Sequence, residues 1–586
     1  MPTIAGRQLS VVAVLFAALL TAFATRYGYH RDELYFLAAG RHLDRGYPDQ
    51  PPLTPLLARA MSAIDADSLL LLRLPSIAAA TLVVVTAGLM ARELGGGRGA
   101  QVLASVAAAS AAMVLGIGHL LSTASFDMAA WMLVCLLVLV LLRDPQGWGV
   151  DRTGRRPEVD AGRGMRGGRA MTDGREDSGG GCAVLNERTG MAGRSASTLR
   201  GGTGGRDVAE AHGGRLAPNE RAGASGRAVA DERGRAGGRV GLGGRAGIGG
   251  WWLGVGLVVG IGLQNKVLLI FPVAALVLAL VLVGPRKIFA TGYFPMAVGL
   301  ALVIWLPYLW WQWRNGWPQW DMSRAIAGGS SGTSDSPVTF VLAQFGLMGP
   351  LLVPLWAFGL WRLWRDRRRR AFPVAYAVLF VVFLVSGGKA YYLGGMYPVL
   401  LAAGAVPVAA WLGSRRIRWT AVGSVIAVNA MVSAVLFLPV LPVAVLKDSP
   451  VLAINYDAGE TIGWPQLVRR IAEVRATLGP DIAIFTDNYG EAGAIERFGG
   501  EYGLPTPHSG HNSYWWWGPP GDTATAVITV GLDRDHLTPY FAEVEPAGRI
   551  DNGLGIDNDE QGRPLFICRK PRVPLSEMWP AAKHLS

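Results

Sequence analysis

A chain of 586 residues that is 51% hydrophobic and only 17% charged, with positive mean hydropathy, excludes an ordinary soluble multidomain protein and indicates a polytopic membrane protein. Its three cysteines, Cys135, Cys182 and Cys568, fall in an apolar run, a glycine-rich insert and the tail, with no metal-ligand spacing and no disulfide framework. The net charge of +12 does not signal nucleic acid, because the basic residues lie mainly between apolar runs, where the positive-inside rule accounts for them.

The first apolar segment, residues 9–24, is long enough to cross a bilayer; its stretch from Val11 to Phe23 could pass for a signal peptide, but no small-residue cleavage site follows, so it reads as a membrane anchor. Further apolar runs follow at 69–91, 100–118, 126–142, 250–264, 267–283, 293–312, 340–361, 372–386, 391–411 and 418–438. The expectation is a mainly α, polytopic helical bundle of about eleven spans. Arg92 and Arg98, the arginine-rich insert, Arg286 with Lys287, the basic run at 362–370, and Arg415, Arg416 and Arg418 lie on alternate connections, which makes those connections cytoplasmic. The other face then receives the loop 26–68, the turn 119–127, the Gln264-Asn265-Lys266 junction, the tryptophan-rich loop after Trp310, the Gly387-Gly388-Lys389 turn and the tail.

Residues 144–249 change character to glycine, arginine, alanine and acidic residues. Too little apolar surface is present to offset ordering entropy, so the composition predicts a disordered cytoplasmic insert between two parts of the bundle, 1–143 and 250–440. An RNA- or anionic-lipid-binding segment is the alternative, but the interleaved Phe or Tyr of such segments is missing. In the tail, 445–586, helical apolar spacing at 466–478 and strand-like runs at 481–486, 525–530 and 565–568 predict a small extracytoplasmic α/β domain.

Chemistry concentrates in His30-Arg31-Asp32-Glu33-Leu34-Tyr35, continuing through Tyr47-Pro48-Asp49-Gln50-Pro51-Pro52. Ionisable groups crowded where a chain leaves the membrane have a desolvation cost and need a partner or a task. Asp32 and Glu33 diverge by roughly 100° on a helix, so one is expected to face a cavity while the other pairs structurally, with Arg31 or Arg41. A partly desolvated carboxylate there suits a general base; surface ion pairing is the alternative. Asp127, beginning a span, is either a partner of the helix dipole or a second cavity carboxylate. Lys266 and Lys389 put positive charge on the face opposite the usual bias, which an anionic ligand explains and snorkelling also explains. The tryptophans at 305–320 read as an interfacial belt or as sugar-stacking platforms. The loop His508-Ser-Gly-His511-Asn-Ser-Tyr-Trp-Trp-Trp suits carbohydrate contact or docking onto the membrane part, since no third metal ligand lies near its two imidazoles.

The Asp-Glu-Leu-Tyr-Phe motif from Asp32, the Gly-Tyr-Pro-Asp-Gln-Pro-Pro-Leu segment from Gly46, Asp127, the Lys266 junction and Gly-Gly-Lys-Ala-Tyr-Tyr from Gly387 together resemble the polytopic glycosyltransferases of the GT-C fold. The likeness is to the branch containing the lipid A aminoarabinose transferases, rhizobial lipopolysaccharide sugar transferases and relatives of protein O-mannosyltransferases. It covers about residues 8–440; the tail resembles the extracytoplasmic domain of an actinobacterial subgroup. The resemblance implies inverting transfer of a sugar from a polyprenyl-phosphate donor to a glycan, lipid or protein acceptor outside the membrane. It places Asp32 as the acceptor-activating base, Asp127 as a second acidic residue, and Lys389 and Tyr391 near the carrier phosphate; Glu33 is a further candidate catalytic carboxylate, and His30, Arg31, Tyr35, Asp49, Gln50, Lys266 and Tyr392 are further candidates for substrate binding. Where aminoarabinose transferases carry a lysine before the Pro-Pro pair, this chain has Gln50, which leaves Lys266, Lys389 or an arginine to meet the phosphate. A divalent cation held by His30 and Asp32 is the alternative source of that charge. A transporter or flippase of a lipid-linked substrate is the competing class, but no inverted repeat is visible and the charges sit at span ends on one face.

Overall fold

The computed structural model describes residues 1–143, 247–328 and 336–585. The predicted insert lies outside the described residues, except for its last three positions, which open a helix. The membrane part comprises α1 (Gly6–Phe23), α2 (Arg31–Arg41), α3 (Leu53–Ile64), α4 (Leu69–Glu93), α5 (Arg98–Ala109), α6 (Ala112–Gly118), α7 (Thr123–Leu141), α8 (Gly247–Leu263), α9 (Ile270–Val283), α10 (Tyr293–Arg314), α11 (Pro318–Ala327), α12 (Pro337–Gly346), α13 (Val353–Arg365), α14 (Ala371–Val385), α15 (Tyr397–Leu412) and α16 (Arg416–Phe437). Each of the eleven expected apolar runs is helical.

Length separates them. Among the described residues six helices are long and apolar enough to cross a membrane, or eight if the bent pairs α5–α6 and α12–α13 each count as one span. The runs at 249–263, 267–283 and 371–385 are shorter apolar helices. A helix of 15 residues rises only about 22 Å, less than the ~30 Å hydrocarbon core, which is why hydropathy alone counts more spans than helix length supports. The bends, 62° and 75°, follow breaks where Ala111 adopts an extended conformation and where Gly349, at a φ of 90°, precedes Pro350.

Helices with no water between them associate by close packing, and small residues set the approach. A Cβ on Gly359 of α13 would lie 1.9 Å from the Leu400 carbonyl oxygen, and one on Gly404 of α15 would lie 2.0 Å from the Leu355 oxygen. In Gly359→Ala the helix-propensity gain of up to about 1 kcal/mol is outweighed by this backbone clash. We expect a net loss of about 1–3 kcal/mol, read as a lower unfolding midpoint in detergent; an unchanged midpoint would show that the two helices separate freely.

Two single turns, α17 (Val443–Leu446) and α18 (Val451–Ile454), lead into the C-terminal α/β domain. It contains α19 (Trp464–Arg475), β1 (Ile482–Thr486), α20 (Tyr489–Phe498), β2 (Pro507–Ser509), α21 (Ser513–Trp516), β3 (Ala526–Val530), α22 (Arg534–Leu537), β4 (Phe541–Arg549), β5 (Pro564–Pro571) and α23 (Leu575–Ala582). The sheet order is β2-β1-β3-β5-β4, with β1 parallel to both β2 and β3, and β5 antiparallel to β3 and β4. The register aligns Ile484, Ile528 and Ile567, which pack with α19, α20, the loop residue Tyr29 and Leu34 of α2. The alternate positions Ala483, Val527 and Cys568 form a second, smaller core on the other face. Cys135 and Cys568 are buried free thiols.

Candidate active site

The helix α2 starts where it does because its N-terminus is capped twice over. The His30 Nδ1 accepts from the Asp32 amide at 3.2 Å, and the Glu33 carboxylate accepts from the His30 amide at 2.9 Å. Glu33 is fully buried and saturated: Arg73 of α4 donates Nε to Oε1 at 2.8 Å and Nη2 to Oε2 at 2.7 Å, and the Leu121 amide adds a bond of 2.8 Å to Oε1. Arg73, itself 1% exposed, also donates to the carbonyls of Ala24 and Gly28. Burial alone would push the Glu33 carboxyl upward, but the guanidinium and these hydrogen bonds hold it below its ordinary value. The structural ion pair expected of one of the two adjacent carboxylates is therefore Glu33's, and its partner is Arg73 rather than Arg31 or Arg41. With every lone-pair direction occupied, Glu33 has the geometry of an anchor, not that of the catalytic carboxylate expected beside Asp32.

Asp32, one position earlier, turns out of this core, and its side chain is 45% exposed. Its Oδ1 accepts a 2.8 Å hydrogen bond from the Tyr489 hydroxyl, and its Oδ2 lies 3.9 Å from the His30 Nδ1. Tyr489 is the first residue of α20, whose own capping box joins Asn488 and Glu491. Two capped helix N-termini thus face one another across the junction of the two parts of the chain, and glycine permits the approach. A Cβ on Gly493 would lie 2.9 Å from the Leu34 Cβ, and one on Gly490 would lie 3.1 Å from the Arg31 Cβ. The spacing Asn488-x-x-Glu491 is legible in the sequence as a helix start, but nothing local says that it docks on α2.

His30 stands between carboxylates, with its Nε2 3.8 Å from the Asp457 Oδ1. Burial disfavours an imidazolium, but the interaction with Asp457 and the charges of Asp32, Asp457 and Glu33 outweigh it and raise His30 to about 9. The cap on the Asp32 amide requires a bare Nδ1, so proton uptake exchanges that bond for the charged contact with Asp32. Asp457, on the turn before Trp464, and Tyr489 are the two groups at this site that sequence reasoning missed; both belong to the segment after the last apolar run.

Arg31 is turned to the C-terminal domain, pairing with Asp559 and, at 3.7 Å, with Glu460, its guanidinium 5.1 Å above the Tyr489 ring. Tyr35 is buried, donates to the Asp49 Oδ1 at 2.7 Å, shares a hydrogen bond with the Ser513 hydroxyl and packs at a tilt against Tyr489, ring centres 4.8 Å apart. Burial raises the Asp49 carboxyl to about 7, the Tyr35 bond opposing it. The aromatic loop of the tail docks on the first loop: Trp517 stacks on His42 at 4.4 Å, and His511 packs on Tyr489 at 4.8 Å. Gln50 is buried, and its Nε2 has no hydrogen-bond partner among the described residues. From the tryptophan-rich stretch, Trp311 is buried and donates to Asp44 at 2.7 Å, fixing the loop, whereas Trp313 and Trp320 stay exposed.

A second cluster lies where α7, α8 and the turn before α15 meet. Asn265 is fully buried and ties the junction together, accepting from Thr54 and donating to the Thr123 carbonyl, both at 2.8 Å. It thereby aims Lys266 at the rings of Tyr391 and Tyr392, 5.3 and 5.8 Å away. Asp127, Lys266, Tyr391 and Tyr392 line a pocket of about 20 Å³, room for one water-sized group. Asp127 does not cap α7; Ser122 does, accepting from the Ala124 amide at 3.1 Å. The Asp127 Oδ1 is buried without a hydrogen-bond partner among the described residues and looks into the pocket with Lys266. The two clusters share one field: Tyr391 is within electrostatic reach of Asp32, Asp457 and Asp127, and Asp457 within reach of Lys389. Of the expected residues, Asp127, Lys266, Tyr391 and Tyr392 thus share one pocket and His30 lies beside Asp32; Arg31, Tyr35 and Glu33 are turned to structural contacts. Among the described residues no group of three or more His, Cys, Asp or Glu side chains is arranged to hold a metal ion.

If Asp32 takes a proton during turnover, Tyr489 is its positioning residue. Tyr489→Phe removes one hydrogen bond to a carboxylate, so kcat should fall roughly tenfold with KM unchanged, and the acidic limb of the pH–rate profile should move upward. An unmoved profile would assign Tyr489 to packing alone.

A family model for dolichyl-phosphate-mannose-protein mannosyltransferases matches residues 49–150. No curated protein sequence matches the chain. The structure of ArnT from Cupriavidus metallidurans in the apo state superposes with a TM-score of 0.53 at 12% identity, over 96% of this chain and 98% of that one. The same protein bound to undecaprenyl phosphate gives a TM-score of 0.51 at 13% identity, over 95% and 97%. At such identity the likeness is one of fold, and that fold is GT-C: a helical membrane bundle followed by a small C-terminal α/β domain.

Proposed function

We propose that the chain is an integral membrane glycosyltransferase that moves a sugar from a polyprenyl-phosphate donor to an acceptor hydroxyl outside the cytoplasmic membrane, inverting the anomeric centre. The observation that carries the reading is Asp32: a half-exposed carboxylate held by Tyr489 and His30 at the exit of the first span, sharing its electrostatic surroundings with a lysine-bearing pocket. The ArnT structure that holds undecaprenyl phosphate has the same fold and supports a lipid-phosphate donor, and the match to the mannosyltransferase model supports a sugar as the group moved.

In this reading Asp32 takes the proton of the acceptor hydroxyl as that oxygen bonds to the anomeric carbon. The bond between that carbon and the phosphate oxygen breaks, and the phosphate leaves on its lipid with one more negative charge. Lys266 and Lys389 balance that charge, with Tyr391 and Tyr392 as hydroxyl donors beside them. Asp127 faces Lys266 in the same pocket and offers it a carboxylate partner. In this reading the α/β domain lies on the outer side together with the loop that bears Asp32, on which it packs. The test is incubation of the purified protein with polyprenyl-phosphate mannose, glucose, arabinose and aminoarabinose, following free polyprenyl phosphate by mass spectrometry. Acceptor-dependent release from one donor is the expected result; no release from any of them with a cell-envelope acceptor extract rejects the reading.

A further inference from the structure

The face of the sheet turned away from Asp32 holds a hollow of about 510 Å³, within the range of about 300–1,000 Å³ usual for small-molecule sites. It opens at the carboxyl ends of β1 and β3, reaching Phe485, Thr486 and Asp487 on one side and Thr529 and Leu532 on the other. Topology makes that place distinctive. From β1 the chain goes to β2 on one flank, then crosses to β3 on the other, and both strands run parallel to β1. The crevice between strands whose connections leave in opposite directions is where open α/β sheets take ligands. Among the described residues the single turn α22 and the terminal helix α23 pack on this face of the sheet, and the hollow remains beside them.

The walls indicate the class of ligand. Phe485, Tyr540 and Trp579 supply aromatic surface, and the Trp579 indole is fixed by donating to the Trp515 carbonyl at 2.9 Å. Asp487 and Lys583 supply charges of opposite sign and His536 and His584 add imidazoles, so the hollow presents both donors and acceptors without a field of one sign. A phosphate or a fatty-acid head group would meet the Asp487 carboxylate, and no glycine-rich turn opens a long helix here to cradle an anion. Apolar faces with a rim of groups that both donate and accept describe a sugar ring. We propose that this pocket binds a neutral saccharide, one to two rings of a glycan chain, at a site separate from the transfer centre. The proposal does not depend on the transfer chemistry, and a chain inactive toward every lipid-linked sugar is still expected to bind.

The full-length protein in nanodiscs, titrated with neutral di- and trisaccharides of mannose, glucose and arabinose and followed by tryptophan fluorescence and calorimetry, tests it. Inorganic phosphate and palmitate serve as the other ligand classes. We expect saturable binding of one saccharide series, retained in Asp32→Asn and weakened at least about tenfold in both Tyr540→Ala and Asp487→Asn. Tyr540 is 37% exposed, so its truncation leaves the core intact. Absence of saturable saccharide binding overturns the proposal, as does binding lost in Asp32→Asn but kept in the pocket variants. Tyr540-dependent binding of palmitate or phosphate instead of sugar also overturns it.

Discussion

Asp32→Asn is expected to lower sugar transfer by about 100- to 10,000-fold while leaving the amount of folded protein in the membrane unchanged. Amide and carboxylate are nearly isosteric, and the Asn Oδ1 still accepts from Tyr489, so the geometry at 2.8 Å survives. What disappears is the basicity. Because the side chain is 45% exposed and buries no charge, the substitution leaves no unsatisfied group in the core. The measurement is turnover at saturating donor, with lipid-phosphate release and thermal midpoint read on the same preparation. Wild-type turnover in the variant removes Asp32 from the reaction and with it the mechanism built on it.

Arg73→Met is expected to have the larger effect on stability. Glu33 and Arg73 are 0% and 1% exposed, and removal of one member of such a pair leaves an uncompensated charge in the core, at a cost of about 3–5 kcal/mol. The loss reaches further than the pair, because Arg73 also holds the carbonyls of Ala24 and Gly28, at the end of α1 and the start of the loop bearing Asp32. In the double variant Glu33→Gln with Arg73→Met both charges are gone, and the glutamine oxygen can still accept from the Leu121 amide. The double variant should therefore unfold at a higher temperature than Arg73→Met alone. If the single variant melts with the parent protein, the buried pair does not organise the loop.

The bundle was legible in the sequence because apolar length is a local property, and each of the eleven runs needed only its own residues to be read. Span count was less legible, since a break such as the one at Gly349 depends on how the chain meets its neighbours. Asp32 and Lys266 stood out because charge near hydrocarbon is costly wherever it occurs. The division of labour between Asp32 and Glu33 did not, because the partner that decides it, Arg73, lies 40 positions on and inside a run that reads as a plain span. Asp127 was ambiguous for a similar reason: only the position of Ser122 on the finished helix shows which residue caps it. Tyr489 and Asp457 carry no local mark of their placement. The placement of Tyr489 follows from the fit of α20 onto α2 and that of Asp457 from the approach of its turn to His30, contacts between segments more than 400 residues apart.

That fit bears on how such proteins can diversify. With Gly490 and Gly493 seated against Arg31 and Leu34, and with Tyr489 reaching the Asp32 carboxylate, the end of the chain is not a detachable accessory that recombination can exchange between relatives. A chimaera carrying a foreign ending needs matching small residues and a matching hydroxyl, or it inherits a bundle whose Asp32 carboxylate is unsupported. New acceptor preferences should therefore arise by drift in the surface loops of this ending, and wholesale replacement should be rare.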